Sequence, residues 1–461
     1  MKRPNAWNDY TEEQLEQLEV LTSDYMEFIS SNKTERECCA QGISLAQQAG
    51  YVDLQSCIRD GRPLSPGDKV YAVNRNKSLL LVHLGTEPLT EGLNILGAHI
   101  DCPRLDVKPV PLEETDEIAY LDTHYYGGIK KYQWLTMPLA LHGVVCKKDG
   151  TTINVCVGED PFDPVLYISD LLPHLGGEQM GKKASEFIPG EALDVIVGNR
   201  PLMLDADGDE TPVRAQVLSL LSECLGIDEE DLLSAELEVV PAGPARDLGL
   251  DRSMILGYGQ DDRSGSYCCL IAQLACEAPR RTAVTLLVDK EEIGSVGATA
   301  MASTFFEDSM AEVLELAGET GPLALRHCLA RSRVLSSDVA AAFDPAFASV
   351  YEKKNSCFLG HGLAFHKYTG ARGKARSNDA DAEYLAFLRS IMDDAGVHFQ
   401  ICELGRVDAG GGGTIAYVIA RYGMSVIDCG VPVLSMHAPW EASSKADIFE
   451  AYRGYSAFLQ A

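Results

Sequence analysis

A chain of 461 residues with 46% hydrophobic and 23% charged content has the make-up of a globular protein. It is too long for one ordinary compact core, so two domains are expected. The formal net charge of −29 speaks against nucleic-acid partners, whose phosphates it would repel. No run approaches the ~18 apolar residues of a membrane span. The opening Met1 to Tyr10 lacks the apolar region of a secretory signal, so a cytoplasmic location without a membrane partner is expected. The 14 cysteines contain no C-x-x-C pair and read as buried, reduced thiols rather than as a thiolate metal site.

The first fifty residues predict helices. Leu15, Leu18 and Leu21 fall near helical spacing, Thr34-Glu35-Arg36-Glu37 has capping-box form, and Gly50 sits at a helix end. Short strands are expected over Lys69–Val73, Ser78–His83 and Asn94–His99. From residue 106 to 242 prolines and glycines punctuate short segments, including strands at Leu139–Cys146 and Thr152–Val157 and a helix near Leu166–Leu175. This stretch reads as an inserted β-rich domain between residues 1–105 and 243–461.

An α/β rhythm then returns. Tyr267–Glu277 reads as a helix, Thr282–Asp289 as a strand buried on both faces, and Gly294–Gly297 as the start of a helix. Strands are expected at Arg333–Ser336 and Met424–Gly430, with helices at Asp379–Ala395 and Ser443–Leu459. Strands alternating with helices on either side of an insertion predict a mixed α/β sheet with helices on both faces. Sites in such sheets gather at strand ends.

Five short clusters of acid and histidine lie where these apolar runs stop: His99-Ile100-Asp101, Asp261-Asp262, Glu291-Glu292, Asp338 and His437. Taken singly, each is ordinary. A lone histidine is usually a satisfied polar residue, and Asp261-Asp262 suits a helix start. Together they offer imidazoles and carboxylates in the numbers a two-metal hydrolytic centre needs. On a strand, His99 and Asp101 share a face, so the acid can orient the imidazole. Two ionised glutamates at the end of a buried strand are costly unless paired or metal-bound. Adjacent residues diverge, so Glu291 and Glu292 can take different roles. The run Gly410–Gly413 lacks dinucleotide or P-loop spacing. It is either a turn or a set of main-chain donors, Gly411 and Gly412 included, for a substrate carbonyl or oxyanion. Lys367, Arg372, Lys374 and Arg376 form a basic stretch, either a solvated loop or a reader of substrate carboxylates.

Gly97-Ala98-His99-Ile100-Asp101-Cys102-Pro103, Asp261-Asp262-Arg263, Asp289–Ser295, Ser337-Asp338-Val339 and Ser435-Met436-His437 occur in an order that resembles the M18 (aspartyl aminopeptidase-like) metallopeptidases, over nearly the whole chain. The resemblance implies a zinc-peptidase catalytic domain with an inserted dimerisation domain and two zinc ions per subunit, with Co2+ or Mn2+ as substitutes. His99 and Asp338 would hold one ion, Glu292 and His437 the other, and Asp261 would bridge them. Asp101 would orient His99, and Glu291 would be the general base and acid. His174 resembles the family histidine that reaches a neighbouring subunit's active site, and the family typically forms a tetrahedral dodecamer. Asp262 stands where eukaryotic members usually have Asn, and the glycine run resembles the bacterial branch. Lys367-Tyr368 matches, but the residues after it diverge, which leaves acidic and neutral or broad N-terminal preferences both open. The implied activity is removal of the N-terminal residue from peptides. The competing readings are a two-metal carboxypeptidase or N-acyl amino-acid deacylase, and a non-catalytic assembly protein on a peptidase scaffold.

Overall fold

Thr11 and Thr34 begin the first two helices, Glu12–Ser31 and Glu35–Gln48, and both do so through reciprocal capping boxes with Gln14 and Glu37. In this computed structural model, which describes residues 4–203 and 211–461, the chain separates into two compact units. One comprises Met1–Cys102, Ala245–Met436 and Glu441–Ala461; the other comprises Pro103–Pro244 and His437–Trp440.

The first unit is built on a nine-stranded sheet. Its order is Val52–Asp53, Lys69–Asn74, Ser78–His83, Ala283–Val288, Asn94–His99, Arg333–Ser337, Ser425–Gly430, Leu363–His366 and Phe399–Cys402. The four strands from Ala283–Val288 to Ser425–Gly430 run parallel, while Ser78–His83 and Leu363–His366 flank them antiparallel. Successive residues face opposite sides. Leu96, Leu81, Leu287 and Ile427 join one apolar core, and Ile95, Leu80, Leu286 and Val426 join the other. Helices Gln260–Ala275 and Lys445–Gln460 cover the first face, and Phe305–Leu316 and Ala324–Ala330 the second. Each such buried aliphatic side chain contributes roughly 1.5–3 kcal/mol. The mixed α/β sheet expected from the sequence is therefore present.

Register decides what meets at the strand ends. Val288 lies opposite His99, and Ser336 lies opposite Gly97. Asp338 is thus carried level with His99, and the Glu291-Glu292 turn leaves the sheet just beyond it. A second, five-stranded sheet includes Met254–Gly257, Glu441–Ser444 and Pro432–Leu434, which lie side by side.

The second unit holds a six-stranded antiparallel sheet ordered Thr152–Val157, Leu139–Cys146, Ala235–Pro241, Arg104–Thr115, Ile118–Tyr126 and Val195–Gly198. The helix expected near Leu166–Leu175 is absent. Leu166 bridges to Leu139 and Tyr167 to Ile196, and Pro173 follows where a helix would need an N–H donor.

Three further boundaries differ. Gly294, Ser295 and Gly297 adopt positive φ, so the segment turns and the helix begins only at Phe305. The helix expected from Tyr267 begins at Gln260. The helix expected from Ser443 begins at Lys445, because Glu441–Ser444 pairs in a sheet. Of the cysteines, 11 are buried, but Cys146, Cys156 and Cys224 of the second unit are exposed.

Candidate metal centre

His99 ends the central strand of the nine-stranded sheet and is itself buried. Its Nδ1 lies 2.9 Å from the Asp101 carbonyl and 3.4 Å from Asp101 Oδ1. Both partners accept, so Nδ1 carries a proton. Nε2 faces Asp261 Oδ1 at 3.2 Å and Asp338 Oδ1 at 3.8 Å. Burial disfavours charge on the imidazole, but the Asp101, Asp261 and Asp338 carboxylates outweigh it and raise His99 well above the ordinary histidine range.

Asp101 does more than orient His99. Its two carboxylate oxygens accept the backbone N–H groups of Glu291 and Glu292 at 3.1 and 3.2 Å. One fully buried acid thus ties the histidine strand to the glutamate turn. Asp261 opens the helix Gln260–Ala275 through a cis Asp261–Asp262 peptide, and its own N–H donates to Glu441 Oε2 at 3.0 Å. Asp338 follows its strand with its N–H donating to the Cys429 carbonyl at 3.0 Å.

Ligand atoms of His99, Asp261 and Asp338 lie within 4.8 Å of one another, as do oxygens of Asp261 and Glu292. One imidazole nitrogen and several carboxylate oxygens, converging with no lysine or arginine among them, fit a divalent cation such as zinc. Glu291 is half-buried beside this group. Burial first, then the Asp338 carboxylate, push it up to about 8, against the opposing effect of His99.

The remaining expected residues are placed as follows. His437 lies in the loop between the strands Pro432–Leu434 and Glu441–Ser444, and its Nδ1 meets the Gly128 carbonyl at 2.9 Å. Asp262 is fully buried, and burial pushes its carboxyl well up; it accepts the Gly265 N–H at 3.2 Å. The basic stretch and the glycine run are brought together: Gly370 N–H donates to the Gly412 carbonyl at 2.6 Å. A Cβ on Gly411 would stand 1.9 Å from the Gly370 carbonyl, so only glycine fits there. These loops line a cavity of ≈ 220 Å³ that includes Arg372, Lys374, Glu403 and Arg406. Lys367 and Lys374 both ion-pair with Asp379, at 2.7 and 2.8 Å. His174 is exposed on a turn of the second unit.

Sequence reasoning missed Glu441. It is buried and supports Asp261; the available signal was a lone acid opening the small-residue strand Glu441-Ala442-Ser443-Ser444. It also missed the second task of Asp101, which no spacing reveals.

Acids and histidine gathered at the ends of parallel strands in an α/β sheet define a metal-dependent hydrolase. The family model for Aminopeptidase I zinc metalloproteases (M18) matches residues 28–459. A probable M18 family aminopeptidase 1 of Clostridium acetobutylicum is 55% identical over 456 residues, covering 99% of this chain and 97% of that protein. The crystal structure of an M18 aminopeptidase from Thermotoga maritima superposes with a TM-score of 0.94 at 43% identity, covering 100% of this chain and 99% of that one. A structure of the S. cerevisiae mApe1 dodecamer shares the fold, with a TM-score of 0.76 at 20% identity and coverage of 96% and 97%. The chain belongs to the M18 family and is a zinc aminopeptidase, a hydrolase of peptide bonds. The carboxypeptidase, deacylase and non-catalytic readings are not favoured. Among the described residues no helix is long and apolar enough to cross a membrane.

Proposed function

We propose that this aminopeptidase uses two zinc ions, one held by His99 and Asp338 and one by Glu292 and His437, with Asp261 between them. The observation that carries this reading is the convergence of His99, Asp261 and Asp338 within 4.8 Å beside Glu291. The likeness of Ser435-Met436-His437 to the family motif supports the part of His437.

When bound, zinc supplies Lewis acidity to the scissile carbonyl and acidifies the attacking water. Glu291 takes the proton from that water on a carboxylate oxygen and delivers it to the departing amide nitrogen. Asp101 holds the turn from which Glu291 projects and fixes the His99 tautomer. Gly411 and Gly412 present main chain to the substrate, and Lys367 lies on the neighbouring loop. Acidic N-terminal residues are one candidate substrate class. The ion pairs that occupy Lys367 and Lys374 favour a broader one.

The segment Pro103–Pro244 serves as the dimerisation and assembly domain, and subunits assemble further to a tetrahedral dodecamer in the cytoplasm. His174 then reaches a neighbouring subunit's active site. The exposed apolar residues Leu171, Leu172, Leu175 and Met180 around it support burial in such an assembly.

The test is a panel of short peptides with free and acetylated N-termini, run with measured zinc. The reading expects release of the first residue from free peptides alone, loss of activity on chelation and its return with zinc. Equal cleavage of acetylated peptides contradicts it.

A further inference from the structure

The turn that carries Glu291 is closed by a side chain with no assigned role. Lys290 stands two residues after the buried strand Ala283–Val288 with φ 68° and ψ 22°, a left-handed conformation that L-residues disfavour and glycine accepts. A lysine kept there needs a reason. Its ammonium lies 3.0 Å from Asp289 Oδ2, and its stem crosses Gly297. A Cβ on Gly297 would stand 2.9 Å from Lys290 Cδ and 3.3 Å from Cε, so the missing side chain is the space the lysine fills.

The same loop is locked at its base. Asp289 N–H donates to the Thr299 carbonyl at 3.3 Å, and the Thr299 hydroxyl donates to Asp289 Oδ2. Ser295 N–H donates to the Lys290 carbonyl at 2.7 Å, and Gly294 N–H to the Glu291 carbonyl at 2.8 Å. Residues 289–299 therefore form a closed loop with the glutamate doublet in its turn. Asp101 holds that turn from the interior through both glutamate N–H groups. Lys290 holds it from the other side, 26% of its side chain remaining exposed. Its charge also answers a concentration of buried acid: Asp289 and Asp101 are fully buried, and Glu35, also buried, pairs with Lys77 at 3.2 Å.

We propose that Lys290 is a positioning residue for Glu291, a strap laid over Gly297 onto Asp289 that fixes the turn aiming the proton-carrying carboxylate. The inference rests on the reading of Glu291 as general base and acid. It assigns Lys290 no contact with substrate or metal, so its removal acts on turnover and leaves binding alone.

The experiment compares Lys290→Met, Lys290→Arg and Lys290→Gln in the full chain, reading kcat, KM, zinc content and melting temperature. Lys290→Met keeps the stem and loses the charge, and kcat is expected to fall about ten- to a hundredfold through misplacement of the reacting group. KM stays within about twofold and zinc content at the wild-type level. Lys290→Arg restores at least half of kcat, and Lys290→Gln, which shortens the stem and removes the charge, reproduces the loss. Lys290→Gln also serves as the test should Lys290→Met not fold. A wild-type kcat in Lys290→Met, or a loss that zinc content follows in proportion, overturns the strap. Glu291→Gln is run beside them. If it stays fully active, the role of Glu291 falls, and the strap with it. If it is inactive while Lys290→Met is unimpaired, the strap alone falls.

Discussion

The metal-binding edge of the nine-stranded sheet and the basic loop after Leu363–His366 lie in one unit but are held by different forces. At the edge, His99, Asp101 and Asp261 are buried, and Asp101 is fastened by backbone N–H groups. Parallel register sets their levels. In the loop, Arg372, Lys374 and Arg376 each adopt positive φ, and Lys367, Lys374 and Asp379 pair with about two fifths or more of each side chain exposed. Surface pairs of this kind contribute about 0–1 kcal/mol. The strand ends suit chemistry that tolerates little displacement, whereas the surface loop is cheap to change.

The largest effect should come from the rigid region. Asp101→Asn removes a carboxylate oxygen from the link between His99 and the Glu291-Glu292 turn. Activity is expected to fall roughly 10–100-fold, with weaker zinc retention. Steady-state kinetics alongside zinc titration check this. An unaltered enzyme would show that the edge tolerates the slack assigned to the loop.

The sheet itself gives the next effect. His366 ends the strand Leu363–His366 and is buried, and burial alone lowers it to about 4. An unfolded histidine titrates near 6.5. Below about pH 6.5 the unfolded chain takes up a proton the folded one refuses. The stability that depends on neutral His366 is therefore whole above that pH and is lost as pH falls towards about 4. His366→Met should flatten the acid loss by up to about 3 kcal/mol. Urea unfolding of both proteins at pH 7 and 4.5 reads the difference; identical slopes contradict it.

The smallest effect belongs to the loop. Asp379→Asn frees Lys367 and Lys374. It should raise kcat/KM for N-terminal Glu over Leu by about two- to fivefold, an advantage that ~1 M salt removes by screening. Stability should change by less than about 1 kcal/mol. A selectivity change that salt does not touch would place the loop's effect in shape rather than charge.

Much of the sheet was legible because its strands announce themselves. Asn94–His99, Ser78–His83 and Leu139–Cys146 are short, largely apolar runs, and their bounds match those expected. The segment Leu166–Leu175 misled because its leucines suit a helix, whereas cross-strand pairing with Leu139 decides its state. The segment after Glu292 misled because glycines that look like a helix start take positive φ. At the site, types and order of residues were visible from strand ends. The support was not: Asp101 reaches the backbone of residues 190 or more positions away, and Glu441 reaches Asp261 across 180. Long-range hydrogen bonds to main chain leave no periodic signal.

The central claim is that the two members of the Glu291-Glu292 doublet have separable tasks, and Glu291→Gln tests it most directly. Zinc content and peptide turnover are measured on the same preparation. The account expects wild-type zinc with kcat reduced about 10²–10⁴-fold. Full turnover, or loss of zinc together with turnover, would contradict it.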